Sequence, residues 1–216
     1  MINLRAYLDL LRREGEIVEI DTPVSADLEV AEIHRRVIAA GGPALLFRRV
    51  EGADFPCVTN LFGTPKRVDL AFGPRPGRFI HELVTLAQDL PALSPSKLWG
   101  HRGLAREALR VGLKNVSAAP VTACRQTNPD LTRLPLLKTW PEDGGHFVTL
   151  PLVYTEHPDT GHHNLGMYRI QRHDERTLGV HWQIQKGGGF HYDVAERRDE
   201  ALPLTLMVGG PPALML

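Results

Sequence analysis

The sequence is poor in cysteine and carries no net charge, and both features exclude broad classes of protein. Its 216 residues include two cysteines, and 25 basic side chains balance 25 acidic ones. Cys57 and Cys124 lie far apart without a CxxC or metal-ligand spacing. We interpret them as buried free thiols of a cytoplasmic protein, with a disulfide or a nucleophilic role as the alternatives. A neutral chain has no overall field that attracts nucleic acid or an anionic membrane.

Long apolar runs and familiar catalytic motifs are also missing. No apolar stretch approaches the ~20 residues that cross a bilayer. The N-terminus lacks the basic and apolar regions of a signal peptide. The sequence contains no GxSxG, HExxH, Walker or GxGxxG pattern. Common hydrolase, metalloprotease and nucleotide-binding signatures are therefore absent.

Proline and glycine, by contrast, are plentiful, with 17 and 20 copies. So many turn-forming residues indicate a mixed or β-rich fold. In the first part of the chain, periodicity predicts helices over 3–14, 27–40, 78–90 and 104–113, strands over 16–20, 44–47 and 55–60, and an irregular connection over 61–67. Helical patterns stop near Ala118, so we predict two domains, 1–117 and 118–216.

The second part of the chain reads as extended, and the whole as α+β. Tight loops join predicted strands over 147–155, 164–171 and 177–185, which favours an antiparallel meander. We also predict a surface segment over 130–141, a helix over 193–200 and a strand over 202–208. The chain stops on four apolar residues, whereas a terminus is usually polar and solvated. We therefore expect an incomplete fold.

Two segments of the meander, 163–169 and 179–189, carry polar groups that predict the wall of an anion or cofactor site. A guanidinium on an apolar sheet requires an anionic partner, so Arg169 would bind a substrate carboxylate, a phosphate or a protein carboxylate. The alternative is an Arg169 that faces solvent. Asn164 and Arg169 are five residues apart, so a regular strand points them to opposite faces. If both serve one site, the backbone near Gly166 must be irregular.

Asn164 and His181 are candidate metal ligands by residue type. A symmetric hairpin would place His181 opposite Tyr168 and Asn164 roughly 13 Å further along the strand. A shared ion would then need a bulge or another strand order. Residues 186–189 would either bind a phosphate through backbone N–H groups or form a flexible loop. The loop over 140–146 carries two carboxylates and an imidazole, which suits a site but also a solvated loop.

Four segments, taken together and in order, resemble motifs of the UbiD family of reversible decarboxylases. They are 41–47, 60–68, 140–143 and 164–169. The resemblance extends from the first helix to the last residue. It implies an N-terminal α/β domain followed by an incomplete split β-barrel of flavin-reductase type, without the family's C-terminal domain. A split-barrel flavin reductase is a weaker alternative, because the first 115 residues do not fit one.

The resemblance also implies cofactors and residue roles. Family members use prenylated FMN, with Mn²⁺ and often K⁺ at its phosphate. Asn164 and His181 correspond to metal ligands, and Arg169 to the catalytic residue that holds the substrate carboxylate. The implied cofactor-binding residues are Asn164, Met167, Tyr168, Arg169, His181, Trp182, Gln183, Lys186 and Gly187.

The family's third metal ligand and its two catalytic acids, all Glu, lie beyond the last residue of this sequence. The resemblance therefore implies a truncated carboxy-lyase for aromatic or α,β-unsaturated carboxylic acids that is inactive alone. A flavin prenyltransferase would supply its cofactor, and the full-length form would be a homo-oligomer. The alternative is a stand-alone flavin-binding or interaction module that a partner chain completes.

Overall fold

A computed structural model describes residues 3–74, 77, 80–81, 84–85, 103, 116–117, 119–183 and 185–216. The chain forms two compact units. One consists of residues up to Ala71 with Asn128–Leu216, and the other of Phe72–Thr127. The helix predicted over 104–113 and most of that over 78–90 lie outside the described residues. The domain boundary near Ala118 stays a prediction.

Helix α1 (Leu4–Arg13) confirms the first predicted helix. The side chain of Asn3 accepts a hydrogen bond from the N–H of Ala6 at 2.9 Å, which satisfies one of the free donors of the first turn. Tyr7 and Leu11 are buried, because residues four apart share a helix face. The Tyr7 hydroxyl lies 3.0 and 2.7 Å from the carbonyl oxygens of Leu61 and Arg67. It thereby ties α1 to residues 61–67.

The first sheet consists of β1 (Ile17–Ile20), β2 (Ala44–Phe47) and β3 (Cys57–Thr59), in that order. β1 and β2 are parallel, and α2 (Glu29–Ala39) provides the crossover that parallel strands require. β3 pairs with β2 in the antiparallel sense. All four residues of β2 are buried, as expected for an apolar central strand. The predicted strand over 44–47 is confirmed with the same bounds, and the other two strands and the second helix are confirmed with shorter ones.

Helix α3 (Pro65–Phe72) corrects the irregular connection that we predicted over 61–67. Pro65 occupies its first position, where the missing N–H of proline costs nothing. The hydroxyl of Thr64 accepts a hydrogen bond from the N–H of Arg67 at 3.3 Å. Proline breaks a helix when it lies in the interior, whereas Pro65 starts this one.

The second half of the chain contains two small sheets instead of one meander. One has the order β4 (Phe147–Val148), β7 (Ile170–Arg172), β8 (Leu178–Val180). The other has the order β6 (His163–Gly166), β5 (Leu152–Glu156), β9 (Leu204–Met207), and all its pairs are antiparallel. The predicted strand over 147–155 is therefore wrong as a single strand. Pro151 interrupts it just before Leu152, because proline has no N–H to donate a hydrogen bond to a neighbouring strand.

The hairpin of β7 and β8 differs by one residue from the register that we predicted. Ile170 pairs with Val180 and Arg172 with Leu178, so the centre of the turn is Glu175. The Asp174 carboxylate accepts the N–H groups of Arg176 and Thr177 at 2.8 and 2.7 Å. This side-chain hydrogen bonding stabilises the turn.

Two further segments differ from the prediction. Helix α4 (Gly187–Arg197) starts six residues before the helix that we predicted over 193–200. The segment over 130–141 was expected on the surface, yet Leu136 and Leu137 are buried. Leu137 packs into the core that contains Val30 and Phe47. A short helix α5 (Pro212–Met215) follows β9.

The described residues contain no helix that is both long and apolar enough to cross a membrane. Both cysteines are free thiols, and Cys57 is buried as we expected, but the expectation is wrong for Cys124, which is exposed.

The two thiols are expected to differ strongly in reactivity. Cys57 is buried and burial raises the pKa of its thiol to about 12, whereas Cys124 is exposed. The thiolate is the reactive species, so such a shift alone lowers reactivity roughly 10³-fold. DTNB should modify one thiol per chain quickly and the second only in denaturant. A Cys124→Ser variant should lose the fast phase, and two equally fast thiols would contradict the prediction.

Candidate functional site

The chain leaves one sheet and enters another at Met167–Arg169. β6 ends at Gly166 and pairs with β5, whereas β7 starts at Ile170 and pairs with β4 and β8. The predicted irregularity between Asn164 and Arg169 is thereby confirmed. Since no regular strand connects the two residues, the alternation of strand faces no longer separates them.

Tyr168 anchors this break from inside the core. Its side chain is 3% exposed, and its hydroxyl accepts hydrogen bonds from the N–H of Gly188 at 2.9 Å and the Asn164 amide at 3.4 Å. The ring packs edge-on against Trp182, with 5.0 Å between centroids. The Lys186 ammonium lies 5.8 Å from the centre of the Tyr168 ring. One tyrosine thus joins β6 to the start of α4.

The glycines of this region permit close approach between backbone and side chains. A Cβ on Gly187 would lie 2.2 Å from Oδ1 of Asn164, and one on Gly188 would lie 2.6 Å from the Trp182 ring. A Cβ on Gly166 would lie 2.6 Å from the Tyr168 ring. Real Cβ contacts are not this short, so a side chain at any of these three positions would force a neighbouring group to move.

The start of α4 corrects the interpretation of residues 186–189 as an open Gly-rich loop. The carbonyl oxygen of Lys186 accepts the N–H groups of Gly189 and Phe190, and Tyr168 accepts that of Gly188. Most of these amides are therefore engaged within the protein. The remaining features that favour an anion are the positive end of the helix dipole, the Lys186 ammonium and the Asn164 amide. This set fits a phosphate group.

Arg169 binds a protein carboxylate, one of the three partners that the sequence left open. Its Nη1 and Nη2 donate to Oδ1 and Oδ2 of Asp143 at 2.8 and 2.5 Å, and Nη2 also donates to the Thr139 hydroxyl at 2.9 Å. The guanidinium lies 3.6 Å from the centre of the Phe147 ring. Hydrogen bonds from Arg169, with further ones from Thr139 and Trp140, hold the pKa of the Asp143 carboxyl well below its ordinary range. The pair carries no net charge.

The candidate metal ligands do not form a metal centre by themselves. Within the described part of the chain, no group of three or more His, Cys, Asp or Glu side chains could hold a metal ion. His181 is exposed, and Asn164 hydrogen-bonds to Tyr168. The residues described here therefore do not fit a complete site for Mn²⁺.

Comparison with known sequences identifies the family. A profile described as "3-octaprenyl-4-hydroxybenzoate carboxy-lyase N-terminal domain" matches residues 8–87. A second, described as "3-octaprenyl-4-hydroxybenzoate carboxy-lyase Rift-related domain", matches residues 114–216. The chain belongs to the UbiD family. The resemblance carried by the four segments is confirmed.

Curated relatives of this UbiD chain are considerably longer. An uncharacterized protein of Chlamydia muridarum is 49% identical over 217 residues, and the match covers 100% of this chain but 37% of that protein. A Chlamydia pneumoniae protein, named as one of the subunits of a 4-hydroxybenzoate decarboxylase, is 46% identical over 213 residues, with 99% and 36% coverage. The chain thus spans about 37% of the length of the first of these relatives.

Solved structures of UbiD-class proteins share the fold. HmfF from Pelotomaculum thermopropionicum, in an evolved dimeric form in complex with prFMN, superposes with a TM-score of 0.76 at 24% identity, over 97% of this chain and 45% of that one. Vanillic acid decarboxylase of Sedimentibacter hydroxybenzoicus gives a TM-score of 0.77 at 22% identity, over 99% and 44%. At this identity the likeness concerns the fold alone.

The other predicted cofactor-binding residues of this UbiD chain differ in exposure and in their contacts. Trp182 stacks on Tyr192, with centroids 5.9 Å apart, and contributes to the core around Tyr168. Met167 and Gln183 are exposed. A cavity of about 550 Å³ lies elsewhere, near Glu156 and Arg198, and none of the predicted site residues lines it. That cavity is therefore not the predicted site.

Sequence reasoning missed three residues at the candidate site, namely Thr139, Phe147 and Tyr192. The first two contact Arg169, and the third stacks on Trp182. The loop over 140–146 was noted for its acids, but its partner lies 26 residues further along the chain. A hydroxyl or a phenyl ring gives no signal by residue type alone, so only the tertiary contacts reveal these three.

Proposed function

We propose that this chain is the cofactor-binding part of a UbiD-type carboxy-lyase that acts reversibly on aromatic or α,β-unsaturated carboxylic acids with prenylated FMN. The junction of Tyr168, Asn164 and Gly188 supports the proposal most directly. It joins a strand end to the start of a helix, with Arg169 as the next residue along the chain. Solved structures of a UbiD-class enzyme with the same fold contain prFMN or FMN, which supports a flavin cofactor.

Different residues of this chain would bind the cofactor and the substrate. Asn164, Lys186 and the first turn of α4 would hold the flavin phosphate, because they combine an amide, a positive charge and a helix dipole. Prenylated FMN, when bound, supplies the electron sink for loss of CO₂. Arg169 would bind and orient the substrate carboxylate through paired N–H groups. The buried ring of Tyr168 and the partly buried ring of Trp182 would exclude water from one side of the site.

The Mn²⁺ and K⁺ that the family resemblance implies are not assigned to this chain alone. The described residues lack a group of three acidic, His or Cys ligands, and Asn164 with His181 provides at most two. We propose that the missing carboxylates lie outside these 216 residues. For the same reason we propose that the chain does not turn over by itself. The two three-stranded sheets, β4-β7-β8 and β6-β5-β9, would belong to the incomplete split β-barrel expected over 118–216.

Cofactor capture tests the proposal. The chain should be produced with and without a flavin prenyltransferase, in its assembled holoenzyme, and analysed by absorbance and mass spectrometry. We expect prenylated FMN to co-purify only when the prenyltransferase is present. A holoenzyme that never retains a flavin under either condition would refute the assignment.

A second candidate is a flavin-binding module that a partner chain completes. The Chlamydia pneumoniae relative favours it, because a protein named as one subunit of a decarboxylase implies that the enzyme has others. The homo-oligomer that we expected is the competing assembly. Size-exclusion chromatography with light scattering separates the two, since one gives copies of a single chain and the other a second polypeptide.

A further inference from the structure

We propose that Asp143 sets the affinity of Arg169 for carboxylates, because it occupies the position that a bound carboxylate would take. This inference rests on the proposed function of Arg169 as the carboxylate-binding residue. It concerns the pairing between the loop over 140–146 and the break between β6 and β7.

The hydrogen bonds of the guanidinium leave no paired donors for a second carboxylate. An arginine has five N–H groups. One on Nη1 and one on Nη2 go to the two oxygens of Asp143, and the second on Nη2 goes to Thr139. The two that remain, on Nε and Nη1, lie on opposite edges of the planar group. They cannot form the two parallel bonds by which arginine chelates a carboxylate.

Asp143 is itself held in place by its own loop. Its Oδ2 accepts the N–H and hydroxyl of Thr139 at 3.2 and 2.9 Å and the N–H of Trp140 at 3.1 Å. Its side chain is 9% exposed, whereas that of Arg169 is 40% exposed. The acid is therefore the fixed member of the pair, and the guanidinium is the accessible one.

An incoming carboxylate must consequently exchange with Asp143 at the paired N–H groups of Arg169. It also meets a pair without net charge, so the long-range attraction that a free guanidinium would exert is cancelled. Loss of the Asp143 charge should therefore strengthen carboxylate binding. If Asp143 merely orients Arg169, its loss should weaken binding instead. The sign of the change decides between the two roles.

Asparagine is the best matched replacement. Its carbonyl oxygen can accept the loop donors that Oδ2 accepts, while its NH₂ faces the Nη1 donor and cannot bind it. We expect Asp143→Asn to bind 4-hydroxybenzoate about five- to tenfold more tightly than the wild type at low ionic strength. Ligand-observed NMR titration of the assembled holoenzyme measures this, with phenol as the probe that lacks a carboxylate.

Three comparisons separate the possible outcomes. Asp54→Asn is the control, since Asp54 forms a similar pair with Arg133 away from the site, and it should change nothing. Arg169→Gln and the double variant Asp143→Asn/Arg169→Gln should both lose carboxylate-dependent binding. If Arg169→Gln binds like the wild type, the proposed role of Arg169 fails. If it loses binding while Asp143→Asn binds no more tightly, only the present inference is overturned. Asp143→Ser gives the same test if the Asn variant does not fold.

Discussion

Replacement of Arg169 with Gln is expected to lower the kcat/KM of the proposed decarboxylase, in its assembled form, by about 10²- to 10³-fold, the range found when one preorganised charge-stabilising donor is removed. Gln retains a planar polar end but has neither the charge nor the paired N–H groups of the guanidinium. The guanidinium also makes a cation–π contact with the Phe147 ring. The neutral side chain of Gln cannot make this contact. The measurement is initial-rate kinetics of CO₂ release.

A matched control separates this effect from the general loss of an arginine. Arg176 lies in the β7–β8 turn and hydrogen-bonds to Asn128 outside the site. Arg176→Gln should leave kcat/KM within about twofold of the wild type. A second measurement is the pKa of the Asp143 carboxyl, which is low chiefly because of its hydrogen bonds from Arg169. In Arg169→Gln that pKa should rise toward the ordinary range in an NMR titration. A loss of less than tenfold in kcat/KM would contradict a catalytic role for Arg169.

Replacement of Gly187 with Ala is expected to impair both cofactor binding and folding. The new Cβ would lie 2.2 Å from Oδ1 of Asn164, so either the helix start or the amide must move. Comparable overpacking costs about 1–3 kcal/mol in the free energy of unfolding. Because Asn164 and the first turn of α4 are the proposed phosphate ligands, FMN affinity should fall about tenfold or more. Urea unfolding and fluorescence titration with FMN measure the two effects.

Gly77→Ala provides the control for this prediction. A Cβ there meets no atom of the described residues within 4 Å, and the residue has no positive φ. That variant should keep the FMN affinity of the wild type, and its free energy of unfolding should not fall. A Gly187→Ala chain that binds FMN normally would show that the close contact with Asn164 has no part in the site, even if stability is reduced.

Several elements could be predicted from the sequence because their signals are local. Asn3 precedes an apolar stripe with a spacing of three and four residues, and it caps α1, the helix predicted there. Ala44–Phe47 is a short apolar run, and it became a fully buried strand. In both cases the residues that decide the structure are neighbours in the chain. Asn164 and Arg169 are five residues apart, so they can serve one site only if the backbone between them is irregular. The structure shows that the strand is broken between them.

The errors share a different cause. Residues 147–155 and 164–171 each look like one strand, yet each contributes to two sheets. A strand's pattern does not specify its partner, because strand pairing is decided by distant segments. Gly187 and Gly188 looked like a flexible loop, whereas contacts with Asn164, Tyr168 and Trp182 place them in a helix. A run of glycines occurs both in flexible loops and where another group packs closely against the backbone, and the sequence does not distinguish the two cases.

The sequence alone determined the family, the main helices, the central apolar strand and the residue types at the candidate site, because these depend on motifs and on short-range periodicity. The tertiary structure alone decided that Tyr168 binds the start of α4 and that Arg169 meets Asp143. Both contacts join residues at least 20 positions apart in the chain. Such pairs form only when packing of distant apolar faces brings their elements together, and no local pattern encodes that arrangement.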